Sequence, residues 1–213
     1  VPEAPRVKVC GVALPEQAAA CGDLGVWAIG VVLAEESPRR VDAVRAAEVL
    51  AAVPPGVARV GVFVEGTAEE IAAVARRCHM THVQLHRPVD VDAVRDASGC
   101  IVIEAFAVSG PEVLARARQS RADLVLLDAS VRGRHGGTGI RFDWHLLAAS
   151  PLGRPFALAG GLTPDNVGEA VELLAPDIVD VSSGVESSPG IKDLDRVRSF
   201  LENVRRAARA GVG

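Results

Sequence analysis

Short runs of Val, Ile and Leu alternate strictly with longer amphipathic runs rich in Ala, Arg and Glu along this chain, and few patterns restrict a fold more. The short runs predict eight strands, near 7–10, 27–33, 57–64, 82–86, 100–106, 123–128, 155–159 and 178–182. Helical periodicity fills the intervals, most clearly over 41–53, 68–78, 164–174 and 194–210, with Pro164 at a first-turn position. Strands that alternate one-for-one with helices pair in parallel, each helix serving as the crossover. Roughly 25 to 30 residues per unit is the spacing a minimal barrel needs. The expected fold is α/β, a (β/α)8 TIM barrel of eight parallel strands forming one domain over residues 1–213. An open doubly wound sheet can be written from the same alternation. The glycine-rich stretch 129–141, with Gly133, Gly136, Gly137 and Gly139, is the longest irregular segment and reads as a mobile flap.

Composition narrows the partners. Nearly half the residues are hydrophobic (49%) but only 3% are aromatic and none is Tyr, so the core must be aliphatic. A net charge of −4 leaves no basic stripe to neutralise a nucleic acid, although a few local donors suffice for one small anion. The longest apolar stretch, 26–34, is far short of a membrane span. Four cysteines, at 10, 21, 78 and 100, form no CxxC pair, and a chain with a full core needs no disulfide staples. The opening residues lack a charged region followed by an apolar run, the mark of a secretory signal. The expectation is a cytoplasmic protein with no nucleic-acid or membrane partner and an oligomeric state that the sequence leaves open.

In a barrel, chemistry gathers where strands end, on the C-terminal face. The first strand closes Lys8-Val9-Cys10-Gly11, and alternation puts Lys8 and Cys10 on one face. A strand cysteine is most often a small buried hydrophobe. The functional reading is a thiolate base with its pKa lowered by a nearby cation, for which Lys8 is a candidate unless a carboxylate from another strand neutralises it. The sixth strand ends an apolar run with Asp128; a loop-capping Asp is the ordinary reading, and a desolvated general acid is the functional one. Ala159-Gly160-Gly161-Leu162 and Asp180-Val181-Ser182-Ser183-Gly184-Val185 close the last two strands. Glycines there let backbone N–H groups approach an anion, and a Ser-Ser-Gly turn can open a short helix, the usual phosphate site of this fold.

Arg39 and Arg40, in a charged loop after the second strand, are candidate clamps for a carboxylate, although a solvated loop is the commoner reading. His82, Gln84 and His86 share a strand face and read as barrel lining. With His79 they resemble metal ligands only superficially, since no Cys, Asp or Glu stands at a ligand-like interval, and no metal is expected. No Walker loop, GxGxxG, HExxH or GxSxG occurs.

Taken in order, several runs closely resemble the phosphoribosylanthranilate isomerase family. They are Val7-Lys8-Val9-Cys10-Gly11, Ser37-Pro38-Arg39, Val83-Gln84-Leu85-His86, Leu126-Leu127-Asp128 and Gly136-Gly137-Thr138-Gly139. They continue with Ala159-Gly160-Gly161-Leu162, Asn166-Val167, Asp180-Val181-Ser182-Ser183-Gly184-Val185-Glu186 and Pro189-Gly190. The resemblance implies a tryptophan-biosynthetic, aldose–ketose isomerisation of N-(5-phosphoribosyl)anthranilate, a small phosphorylated substrate, without metal or cofactor. It also implies Asp128 as general acid, Cys10 as general base and Arg39 on the anthranilate carboxylate. Gly160, Gly161, Ser182, Ser183 and Gly184 would cradle the phosphate, with His86 and Asp180 also on the substrate. Departures from the family pattern fall at Val12-Ala13, Glu35-Glu36, Arg40, Arg87, Glu104 and Ile140-Arg141. Glu104 is expected to face Lys8 inside the barrel. A histidine-pathway aminoaldose isomerase, for which an Asp base would be expected, and a silent phosphosugar-binding protein are the alternative readings.

Overall fold

The computed structural model describes residues 4–128 and 144–210; the glycine-rich stretch expected to act as a flap lies outside them. Eight strands are β1 (Arg6–Cys10), β2 (Ala28–Val32), β3 (Ala58–Phe63), β4 (His82–Leu85), β5 (Ile101–Ala107), β6 (Leu124–Asp128), β7 (Phe156–Ala159) and β8 (Ile178–Val181). All pair in parallel, and β1 pairs with β8 through Lys8 opposite Asp180, so the sheet closes on itself. The helices between strands are α1 (Pro15–Asp23), α2 (Ala43–Ala51), α3 (Ala68–Arg77), α4 (Val91–Ser98), α5 (Pro111–Gln119), α6 (Trp144–Ala148) and α7 (Val167–Leu174), and α8 (Leu194–Ala210) follows β8. The closed barrel, and not the open sheet, is the architecture.

Local chemistry places the helices where they stand. Thr67 and Glu70 form a reciprocal capping box at the start of α3, and Asp42 and Asp90 each accept two backbone N–H bonds at the starts of α2 and α4. Helix α7 starts later than the sequence predicts. Pro164 precedes it in a turn, because Asn166 turns its side chain back onto Thr163 and Gly161 instead of letting the helix begin.

Strands buried on both faces need apolar residues at every position, and the two faces form separate clusters. Val9, Ile29, Val83, Val125 and Val179 point outward against the helices. Ala28, Val60, Ile103, Leu126, Ala157 and Ile178 fill the barrel interior. The sorting corrects one expectation. Ile103 and Ala105 of β5 belong to the inner cluster, so Glu104 between them points out, away from Lys8. Its carboxylate accepts a hydrogen bond from Ser120 Oγ at 2.5 Å. Beyond β8, two short strands, β9 (Glu186–Ser188) and β10 (Ile191–Lys192), form an antiparallel hairpin that the sequence pattern does not announce.

Candidate active site

The inner face of β1 supplies the first two groups. Cys10 lies opposite Gly30 of β2. A Cβ on Gly30 would stand 3.0 Å from Cys10 Sγ and 3.3 Å from Lys8 Cε, so this glycine leaves the space both side chains occupy. Lys8 Nζ donates to Asp180 Oδ2 at 2.7 Å, both residues being buried. Burial works to deprotonate Lys8, but Asp180 and Cys10 outweigh it and the ammonium holds its proton more firmly than a free lysine. Burial likewise pushes the Cys10 thiol up, more than Lys8 and Lys192 pull it down, and Asp180 adds to the push. Burial therefore opposes the lowered thiol, and the neighbouring cation is paired with a carboxylate from another strand, the alternative that the sequence left open.

Above this pair the strand ends open into a cavity of about 380 Å³. Cys10, Arg39, His86, Asp128, Gly160, Gly161, Asp180, Ser182 and Ser183 all line it. Asp128, at the end of β6, is half-buried. Gln84, flagged in the sequence only as lining, is buried in the wall, its side-chain amide 2.7 Å from His86 Nε2. Asp180 Oδ1 and Gln84 Oε1 are buried acceptors with no hydrogen-bond donor among the described residues. His82 sits lower on β4, edge-on to Trp27, and its pKa falls to about 4, chiefly through burial. Among the described residues, no group of His, Cys, Asp and Glu is arranged to hold a metal. A larger cleft of about 670 Å³ opens near the start of β1, between the ends of α7 and α8. It lies away from the strand ends, and Arg6 at its edge is stacked on Trp27.

One rim of the bowl is built from glycines. Gly160 and Gly161 follow β7 with φ of +96° and +68°, a region other residues avoid. Asn166 fastens this loop, donating to Gly161 O at 2.9 Å and accepting from Thr163 N at 2.8 Å. After β8, Ser183–Val185 form one turn of 3-10 helix. Gly184 packs directly against the Leu162 carbonyl, leaving no room for a Cβ. It does not itself line the bowl; it allows the two loops to touch. On another side, Arg39 is held by Glu186, which accepts from Nε at 2.8 Å and from Nη2 at 2.7 Å.

Comparison with known proteins gives this arrangement a family. The model of N-(5'-phosphoribosyl)anthranilate (PRA) isomerase matches residues 7–203. The chain belongs to the phosphoribosylanthranilate isomerase family. It is 43% identical to the N-(5'-phosphoribosyl)anthranilate isomerase of Geobacter sulfurreducens, over 94% of this chain and 98% of the relative. The crystal structure of phosphoribosyl anthranilate isomerase from Thermotoga maritima is 37% identical and superposes with a TM-score of 0.86, over 95% of this chain and 99% of that one. A second isomerase structure, in complex with reduced 1-(o-carboxyphenylamino)-1-deoxyribulose 5-phosphate, has a TM-score of 0.83 and 35% identity, covering 95% and 99%.

Several departures from the phosphoribosylanthranilate isomerase pattern acquire a structural account. Val12 is fully buried among core side chains. Glu35 and Arg40 pair with each other at 3.2 Å on the surface, so the two changes in that loop are complementary. Arg87 is exposed and Glu104 points out of the barrel. Ile140 and Arg141 lie outside the described residues. Among the described residues, no helix is long and apolar enough to cross a membrane.

Proposed function

We propose that the chain is itself a phosphoribosylanthranilate isomerase of tryptophan biosynthesis, converting N-(5-phosphoribosyl)anthranilate to 1-(2-carboxyphenylamino)-1-deoxyribulose 5-phosphate. The observation that carries the reading is the convergence of Cys10 and Asp128, from different strands, on a bowl flanked by Arg39 and the glycine loops. Gly160, Gly161, Ser182 and Ser183 take the phosphate, and Arg39 takes the anthranilate carboxylate. Held at both ends, the sugar has little freedom left to lose, which lowers the entropic part of the barrier.

Asp128 then donates a proton to the ring oxygen. The C1′–O bond breaks, and the nitrogen lone pair forms the iminium. Cys10, as thiolate, removes the proton from C2′, and the electron pair flows back to nitrogen to give an enolamine. Tautomerisation delivers a proton to C1′ and leaves the ketone at C2′. The oxidation at C2′ balances the reduction at C1′, so the chemistry needs no external redox partner. Burial opposes the thiolate, so the thiol first gives its proton to solvent or to the Asp128 carboxylate that ring opening leaves, and the iminium cation beside the sulfur favours that loss at the step that needs the base.

Single variants separate the two roles. Cys10→Ala and Asp128→Asn are expected to lower kcat by about 10²- to 10⁴-fold each, with cooperative unfolding retained. Turnover at the wild-type rate by either variant overturns the role given to that residue.

A further inference from the structure

Glu186 and Lys192 face each other across the hairpin turn that contains Gly190. Lys192 Nζ donates to Glu186 Oε1 at 2.6 Å and to the backbone carbonyl of Ser182 at 3.3 Å, and its side chain is 0% exposed. The Gln17 side chain clasps the Lys192 backbone from both sides, accepting from its N–H and donating to its C=O. Glu186 Oε1 also accepts from Gly190 N at 3.2 Å, besides the two bonds from Arg39. One buried ion pair therefore touches the arginine on one side of the bowl and the loop after β8 on another.

The guanidinium geometry gives this contact a consequence. An arginine presents flat donor edges, and Glu186 occupies the one formed by Nε and Nη2. Nη1 makes no hydrogen bond among the described residues, so the remaining edge is available to a second carboxylate in the cavity that Arg39 lines. Two cations share one carboxylate here, which leaves an excess positive charge under the part of the bowl assigned to the substrate's anions. A fully buried ammonium is costly to keep, and hydrophobic replacements of such pairs are often harmless to stability. Burial lowers the proton affinity of Lys192, and the Glu186 carboxylate opposes that effect.

We infer that Glu186 and Lys192 are positioning residues that lock Arg39 and the Ser182 backbone into one frame, so that substrate carboxylate and phosphate are gripped at a fixed span. The inference rests on the isomerase reading for the identity of those two groups. Neither residue touches the reacting atoms; both act through Arg39 and the loop.

The test compares two ligands by titration calorimetry: the reduced carboxyphenylamino-deoxyribulose phosphate, which carries both anions, and ribose 5-phosphate, which carries only one. Lys192→Met and Glu186→Gln are each expected to reduce the preference for the two-anion ligand by about 10- to 100-fold. In an Arg39→Ala background, Lys192→Met should reduce that preference by less than about 3-fold, since the arginine it positions is gone. Lys192→Arg, which keeps the cation, should recover part of the loss. An unchanged preference in folded Lys192→Met and Glu186→Gln, or equal effects with and without Arg39, overturns the inference. Binding does not require turnover: a wild type that binds the two-anion ligand tightly but leaves phosphoribosylanthranilate unconverted defeats the isomerase reading alone. A wild type with no preference between the ligands defeats the frame itself.

Discussion

Cys10 and Lys8 stand two residues apart on one strand face, yet the lysine does not turn the cysteine into a ready thiolate. Lys8 is matched to Asp180 at 2.7 Å, and burial raises the thiol. The pH dependence follows with its sign fixed. The base role proposed for Cys10 needs the deprotonated thiol, so a raised pKa makes that form scarce at neutral pH, and its population climbs as pH rises. In the free protein the thiolate should form only above pH 9, the ordinary value for the thiol. The pH dependence of Cys10 alkylation by iodoacetamide from about pH 6 to 10, in a variant with Cys21, Cys78 and Cys100 replaced by Ser, checks this; a midpoint below about 8 would contradict the dominance of burial.

At the level of elements, the loops after β7 and β8 act as a unit. The Gly184 backbone lies against the Leu162 carbonyl, and Asn166 ties Gly161 to the turn before α7. Gly184→Ala forces a methyl group into that contact. It is expected to destabilise the protein by about 1–3 kcal/mol, the usual cost of overpacking, and to weaken ribose 5-phosphate binding. Urea unfolding and calorimetry check the two effects; a change within about 0.5 kcal/mol with normal binding would contradict the close packing of the loops. These loops were legible from sequence because glycine at a strand end has few other uses. The face of Glu104 was not legible: β5 is apolar on both sides of that residue, and a parallel strand buried on both faces shows no alternation to orient it. The β9–β10 hairpin left no trace either, since strands of three and two residues are too short to show a pattern, and the Glu186–Lys192 ion pair across them joins residues of no local periodicity. Glu186 stood inside a recognised run, but only the structure reveals that it holds Arg39.

For the whole molecule, strand–helix alternation announced eight β/α units, while closure depends on a contact between the first and last strands that no local pattern encodes. Closure matters for the site because it sets Lys8 beside Asp180 and brings the loops after β7 and β8 next to Cys10. Aliphatic clusters inside and outside the strands provide a rigid base, which leaves the strand ends free to carry polar groups at little cost to the core. The overall charge of −4 gives no net field to draw in an anion, so the anion binding proposed for the bowl falls to a few placed donors, Arg39 and the loops after β7 and β8. The activity proposed for this bowl is the isomerisation of an aminoaldose phosphate. It is tested by generating phosphoribosylanthranilate in situ, following its fluorescence with the wild-type protein, and identifying the product by NMR. Rapid, protein-dependent loss of signal with appearance of the open-chain 2-keto sugar is the predicted result. Folded protein that leaves the substrate to decay at its uncatalysed rate would contradict the claim.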